Sequence, residues 1–307
     1  SSRGRSGIDR RAMPNFAVLV SGFGWHVEDL TRAAEALDVG LVALPFDDVH
    51  ASIGGAGVGV GAAGHALDDR DGVLVRMMPP GTLEQVVFRM DALLRLTASG
   101  VPVWNPPRAV EAAVDKYLTL SLLERRGLPT PATWAGQTAA SALAAFDALG
   151  GDVVVKPLFG SEGRGLMRVD HRELAWRCFH TLERLGAVIY LQRWIRHPGH
   201  DLRLFVLNGR VLAAMRRTAC EGEWRTNVAI GGRAEAWTPD EEAVRLAVAA
   251  ADAVGAVFAG VDLIEDQDTG TRLLIEVNAV PGWRALAGAT GVDVAVEILA
   301  ALREASR

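Results

Sequence analysis

Cysteine is nearly absent: Cys178 and Cys220 are the only two among 307 residues, and they show neither CxxC nor metal-type spacing. That excludes a disulfide framework and a cysteine-built metal site, and a reducing, cytoplasmic setting is expected. No strong charge of either sign is present, since the net charge is -5. Nucleic acid and an anionic membrane surface are therefore not expected as partners. The longest apolar run, Leu246 to Ile264, is interrupted by Asp252, Gly255 and Gly260, so it reads as a helix feeding a core strand and not as a membrane span. Ser1 to Arg11 lacks the apolar stretch of a secretory signal; residues 1–12 are expected to be a tail, with Met13 as the natural start. What the chain does have is apolar bulk. Half of it is hydrophobic, enough for two or three subdomains with sizeable cores.

Taken in order, Phe16 to Ser21 predicts a strand, and Val27 to Leu37 a helix after the turn Gly22-Phe23-Gly24-Trp25-His26. Further strands are expected at Leu41 to Leu44, Val73 to Arg76 and Val101 to Trp104, with a helix from Leu83 whose apolar residues Val86, Val87, Met90, Leu93 and Leu94 recur at helical spacing. This is an open α/β rhythm. Gly22-x-Gly24 lacks the third glycine of a dinucleotide fingerprint. Gly59 to Gly64 spells GxGxxG, but no amphipathic helix follows it, so a dinucleotide site is rejected. Asn105-Pro106-Pro107 marks a boundary. Beyond it, Val110, Val114, Leu118 and Leu122 predict one helix from Ala109 to Arg126, with Asp115-Lys116 near its middle.

Asp152 to Pro157 reads as a strand ending in Lys156, and Gly160, Gly163 and Gly165 lie in the loop that follows. Glycines let backbone N–H groups approach an anion closely, and the lysine adds a fixed charge beside them. A phosphate-covering loop or a plain glycine hairpin fits this pattern. It is no Walker A element, because the lysine precedes the glycines. Val188 to Gln192 reads as a strand continued by Arg193, Trp194 and Ile195. Asn208-Gly209 then predicts a hairpin, with Asp201 and Arg203 on one face of its first strand. Arg217, Arg225 and Asn227 extend the polar set, and Thr238-Pro239-Asp240-Glu241 reads as the start of a helix from Pro239 to about Val254.

The last feature is a pair of strands, Gly260 to Ile264 and Leu274 to Gly282, joined by the turn residues Asp268-Thr269-Gly270. A turn centred near Thr269 sets Asp262 opposite Glu276, where two carboxylates repel unless a cation lies between them. Side chains alternate along a strand, so Asn278 shares the face of Glu276. Three oxygen donors on one surface suit magnesium held jointly with phosphates, and an ordinary charged hairpin face is the plain alternative.

In sequence, Asp115-Lys116, Lys156 with its glycine loop, Leu191 to Ile195, Asp201-x-Arg203, Arg217, Arg225-x-Asn227, Asp262 and Glu276-x-Asn278 resemble the ATP-grasp superfamily, and within it the RimK-like amino-acid ligases. The resemblance implies an N-terminal α/β (pre-ATP-grasp) domain at 13–107 and an α+β ATP-grasp fold of two subdomains, at 108–187 and 188–307. It implies that Lys116 and Lys156 contact nucleotide phosphates, that Ser161, Gly163 and Gly165 belong to the covering loop, and that Gln192, Arg193, Trp194 and Ile195 form the adenine hinge. Arg193 stands where relatives often carry an acidic residue. Asp201, Arg203, Arg225 and Asn227 are implied nucleotide-site residues, Arg217 holds an acylphosphate, and Asp262, Glu276 and Asn278 hold Mg2+ or Mn2+.

The implied activity is ATP-dependent joining of a carboxylate to an amine through an acylphosphate. Its substrates are a small-molecule carboxylate and an amino acid such as glutamate, with no nucleic acid or membrane partner and with room for a homo-oligomer. Gly24-Trp25-His26 and Val280-Pro281-Gly282-Trp283 resemble ligases of tetrahydromethanopterin and methanofuran biosynthesis. Arg76 and Arg284 are candidates for binding a substrate carboxylate. A D-alanine- or glutathione-type ligase and a non-catalytic ATP-binding module are the competing readings.

Overall fold

In the computed structural model, residues 13–54, 59–160, 164–228 and 231–306 are described. The expected tail at 1–12 lies outside them, as do Ser161 and Gly163. The chain divides into two units, one running to Trp104 and regaining the chain from Ala295, the other spanning Asn105–Val294.

The first unit contains β1 (Asn15–Val20), α1 (Trp25–Leu37), β2 (Gly40–Pro45), β3 (Val49–Ala51), β4 (Val60–Ala62), β5 (His65–Ala66), β6 (Gly72–Val75), α2 (Leu83–Ala98) and β7 (Val103–Trp104). A parallel sheet runs β2-β1-β6-β7. Phe16 to Val20 are all buried, as a strand with two covered faces must be, so its sequence is a continuous apolar run without alternation. A capping box of Thr82 and Gln85 starts α2. Gly59 to Gly64 contains β4 and the Ala63-Gly64 turn into β5, and no helix follows it directly.

The second unit begins with α3 (Pro107–Val114) and α4 (Lys116–Arg125). Here the structure corrects the single helix expected over 109–126. Asp115 is extended, with φ -93° and ψ 107°, and its side chain caps α4 by accepting from Tyr117 N at 2.8 Å and Leu118 N at 3.0 Å. The apolar spacing continues across the break, so periodicity alone conceals it. Next come β8 (Thr133–Gly136), α5 (Ala139–Ala148), β9 (Val153–Lys156), β10 (Met167–Val169), α6 (Arg172–Arg184) and β11 (Ile189–Arg193). Their strands form an antiparallel sheet, β10-β9-β11-β8, with α5 and α6 packed against it around Phe146 and Phe179.

A second antiparallel sheet follows: β12 (His200–Leu207), β13 (Arg210–Thr218), β14 (Arg233–Ala236), β15 (Phe258–Glu265) and β16 (Arg272–Asn278), in the order β14-β13-β12-β15-β16. Asn208 and Gly209 turn β12 into β13 with φ of 47° and 71°, the left-handed pair that a tight hairpin needs. Helix α7 (Glu241–Val254) covers this sheet with Leu246, Ala247, Ala250 and Val254. It starts two residues later than expected because Asp240, not Thr238, is its cap, accepting from Ala243 N at 3.0 Å. Then follow α8 (Arg284–Thr290) and α9 (Val294–Ala305).

Two subdomain limits also differ from expectation. Strand β11 is hydrogen-bonded between β8 and β9, so the first sheet extends beyond residue 187 to Arg193. Residues from Ala295 onward belong with the N-terminal unit, where Arg303 donates to Leu37 O at 3.1 Å.

Candidate active site

The site is written across neighbouring strands of the second sheet. The ladder sets Asp201 on β12 opposite Arg217 on β13, Arg203 opposite Asp262 on β15, and Asp262 opposite Glu276 on β16. Arg217 grips Asp201 through Nε and Nη2 at 2.7 and 2.6 Å, and Nη2 also reaches Asp262 Oδ2 at 2.8 Å. Arg203 holds Asp262 through Nε and Nη2 at 2.6 and 2.7 Å. Thr226 Oγ1 donates to Asp201 Oδ2 at 2.6 Å. Asp201, Arg217 and Asp262 are all buried, and burial is tolerable because the charges alternate in sign. Burial opposes the charge on Asp262, yet Arg203 and Arg217 outweigh it and hold the carboxyl below its ordinary range. Burial likewise opposes the Arg217 charge, and Asp262 and Asp201 together raise that guanidinium above its ordinary value.

Asp201 carries Arg217 and Thr226, and Arg203 carries Asp262. Glu276 is the exception in this row. Its side chain makes no hydrogen bond or ion pair with any described residue, while its charge partly offsets the burial that lowers the pKa of both Lys116 and Lys156.

Those two lysines, the only ones in the chain, both line the pocket facing this row. Lys156 ends β9 and donates to Gln192 Oε1 at 2.6 Å. Burial pushes its pKa down to about 8, against the pull of Glu276. Lys116 stands at the first position of α4, placed there by the break at Asp115, and donates to Gly160 O at 2.7 Å. Burial lowers its pKa as well, with Glu276 and Asp115 opposing. The described end of the glycine loop suits close approach: Gly165 has φ 73°, and a Cβ there would lie 2.9 Å from Pro157 Cγ.

Trp194, Ile195, Ile264 and Ile275 supply an apolar wall. Arg168 lies over Trp194 with Cζ 4.1 Å from the ring centre, and Trp224 meets the same ring edge-on at 5.2 Å. Arg193, in the segment expected to form the hinge, directs its side chain to buried Asp266 at 3.0 Å. Its backbone N–H is used by Ala132 O, whereas the N–H of Ile195 donates to no described residue. Arg225 and Asn227 line the pocket, with Arg225 paired to Glu223 at 2.6 Å. Thr226, Thr133, Glu223 and Trp224 were missed by sequence reasoning; only the alternation around Arg225-x-Asn227 hinted at Thr226. Arg76 is buried in the first unit and Arg284 is exposed at the start of α8 in the second.

Among the described residues no three His, Cys, Asp or Glu side chains form a metal site by themselves. A cation here would need Asn278 or ligand oxygens in addition. Glu276 fits it with its oxygens uncommitted. Asp262 Oδ1 accepts one bond, from Arg203, and Asn278 Oδ1 accepts one, from Val280 N at 2.8 Å, so each keeps a lone pair. The donor set is all oxygen, which suits magnesium.

The profile of the RimK-like ATP-grasp domain matches residues 113–302. The chain belongs to this family. Among its relatives, the tetrahydromethanopterin:alpha-L-glutamate ligase of Methanosarcina acetivorans is 37% identical over 76% of this chain and 80% of its own length. A probable alpha-L-glutamate ligase of Mannheimia succiniciproducens is 34% identical over 78% of this chain and 79% of its own. The solved ATP-grasp ligase PsnB, complexed with a phosphomimetic precursor variant, Mg and ADP, superposes with a TM-score of 0.76 at 23% identity, over 96% of this chain and 99% of that one. A RimK domain protein of Sphaerobacter thermophilus gives 0.70 at 23%, over 92% and 97%. As in other RimK-like ATP-grasp proteins, the N-terminal region precedes a domain of mixed helix and sheet.

Proposed function

We propose that this RimK-like protein is an ATP- and magnesium-dependent ligase that joins the amine of L-glutamate to a carboxylate of a reduced pterin cofactor of the tetrahydromethanopterin type. The observation that carries the reading is the convergence of the two lysines and Arg217 on the pocket that holds the uncommitted Glu276. The acceptor class is taken from the relatives. Manganese, which shares the preference for oxygen donors, is proposed to substitute for magnesium, and the setting is proposed to be the cytoplasm.

A carboxylate is a poor electrophile, so the ATP γ-phosphoryl group is first transferred to it, releasing ADP. The amine then attacks the acylphosphate carbon, and phosphate leaves as the amide forms. Lys116 and Lys156 offset charge on the nucleotide phosphates. Arg217, fixed through Nε and Nη2, keeps Nη1 for the acylphosphate oxygens. Magnesium, held by Glu276 with Asn278 and Asp262, supplies further charge neutralisation when bound. No side-chain nucleophile or general base is required.

Incubation with ATP, Mg2+, L-glutamate and tetrahydromethanopterin should release ADP and add one glutamyl residue to the acceptor, read by mass spectrometry. ATP binding without ADP release across a panel of acids and amines would favour the non-catalytic module. ADP release with D-alanine in place of glutamate would favour the D-alanine-type reading.

A further inference from the structure

The Nζ of Lys156 donates to Gln192 Oε1 across the β9–β11 ladder, and a chain of bonds leads inward from there. Gln192 Nε2 donates to Thr133 Oγ1 at 3.1 Å, and the Thr133 hydroxyl donates to the carbonyl of Pro131 at 2.9 Å. An ammonium group can only donate and a carbonyl can only accept. These two ends fix the direction of every bond between them, including which way the Gln192 amide faces. With only 3% of Gln192 exposed, its amide has little access to competing water.

The acceptor offered to Lys156 is neutral. A carboxylate at this position would place the ammonium equally well but cancel its charge, whereas an amide oxygen places it and leaves the charge available to an anion. Among the described residues one of its three N–H groups is used, which leaves two for phosphate oxygens.

We propose that Gln192 is a positioning residue: anchored by Thr133 and Pro131, it holds the Lys156 ammonium at the pocket wall for the nucleotide phosphates and does not itself touch the nucleotide. This rests on the ligase reading for the place of ATP, and it replaces the nucleotide contact that the sequence implied for Gln192.

Direct ATP binding by calorimetry tests it in a double-mutant cycle. Gln192→Leu should weaken ATP about tenfold, equivalent to a contact of about 1.4 kcal/mol, and Thr133→Val should weaken it less. In a Lys156→Met background Gln192→Leu should cause no further loss. An equal loss in both backgrounds, or none in the parent, overturns the proposal. With only two lysines in the chain, [ε-13C]lysine NMR resolves Lys156 without any nucleotide. Gln192→Leu and Thr133→Val should move its resonance toward that of solvated lysine. An unmoved resonance in both variants overturns the positioning role, even if the parent protein binds no ATP and the ligase reading fails separately.

Discussion

Asp262 and Glu276 face each other across the β15–β16 ladder, yet among the described residues only Asp262 is ion-paired. Arg203 and Arg217 cover Asp262, and the side chain of Glu276 is left without a hydrogen bond or ion pair among the described residues. The like-charge conflict legible in the sequence is therefore half resolved by arginine. The remaining carboxylate is the one best suited to a cation.

Glu276→Gln follows directly. The change keeps size and removes charge, so metal affinity should fall about 10- to 100-fold, the equivalent of a charged contact of about 1.5–3 kcal/mol. Unfolding free energy should stay within about 1 kcal/mol, because a repulsion with Asp262 is relieved. Magnesium-dependent ADP release and urea unfolding measure the two. Unchanged turnover at limiting magnesium removes Glu276 from the ligand set.

How much of this site could be read from sequence depends on the range of the signal. The Asp262–Glu276 pairing follows from a turn centred near Thr269, but the ladder reaches it through a bulge between Asp262 and Leu263; the pairs nearer the turn, Leu263–Leu274 to Glu265–Arg272, would by themselves set Asp262 opposite Ile275. Lys156 and its glycines were legible because they are contiguous. Asp201 and Arg203 were identified as site residues, but their partners lie on other strands, and no local pattern states which carboxylate an arginine will choose. The Gln192–Thr133 contact joins residues on different strands of a sheet whose order, β10-β9-β11-β8, is not the order of the chain. The place of α9 with the first unit is equally nonlocal, since an amphipathic helix fits any apolar face.

Asp201→Asn tests the buried ion network. Arg217 would keep Asp262 but lose its two-pronged partner, leaving a buried guanidinium partly uncompensated. Stability should fall by about 3 kcal/mol, the lower end of what breaking a buried pair costs. Thr226→Val removes only one bond to Asp201 and should cost about 1 kcal/mol. Equal and negligible losses in urea unfolding would show that the network contributes little to folding.

The depressed pKa of Lys156 gives a pH signature with a definite sign. Its folded value, about 8, lies below the ordinary lysine value of 10.5, so the unfolded chain binds more protons between those limits. Ligand-free stability from this group therefore rises as pH climbs from about 8 to 10.5. ATP affinity should run the opposite way, falling above about pH 8 as the ammonium that meets phosphate is lost. Lys156→Met should flatten both trends, and calorimetry across pH measures them together. Parallel rise or fall of stability and affinity would show that another group controls the range.

Asp115 decides whether Lys116 can reach the pocket. The apolar spacing of Val110, Val114, Leu118 and Leu122 would support one continuous helix, and the break survives because the Asp115 carboxylate satisfies the first N–H groups of α4 while Thr119 Oγ1 donates back to Ala112 O at 2.7 Å. Asp115→Ala removes the cap and introduces the residue that most favours helix. Stability should fall by about 1 kcal/mol, and far-UV circular dichroism should show no loss of helix, or a slight gain, as α3 and α4 join. A continuous helix turns residue 116 to a different direction, which takes its Nζ from Gly160 O and from the pocket. ATP affinity should therefore drop by more than the stability loss explains, and a variant with normal nucleotide binding would show that the break is dispensable for placing Lys116.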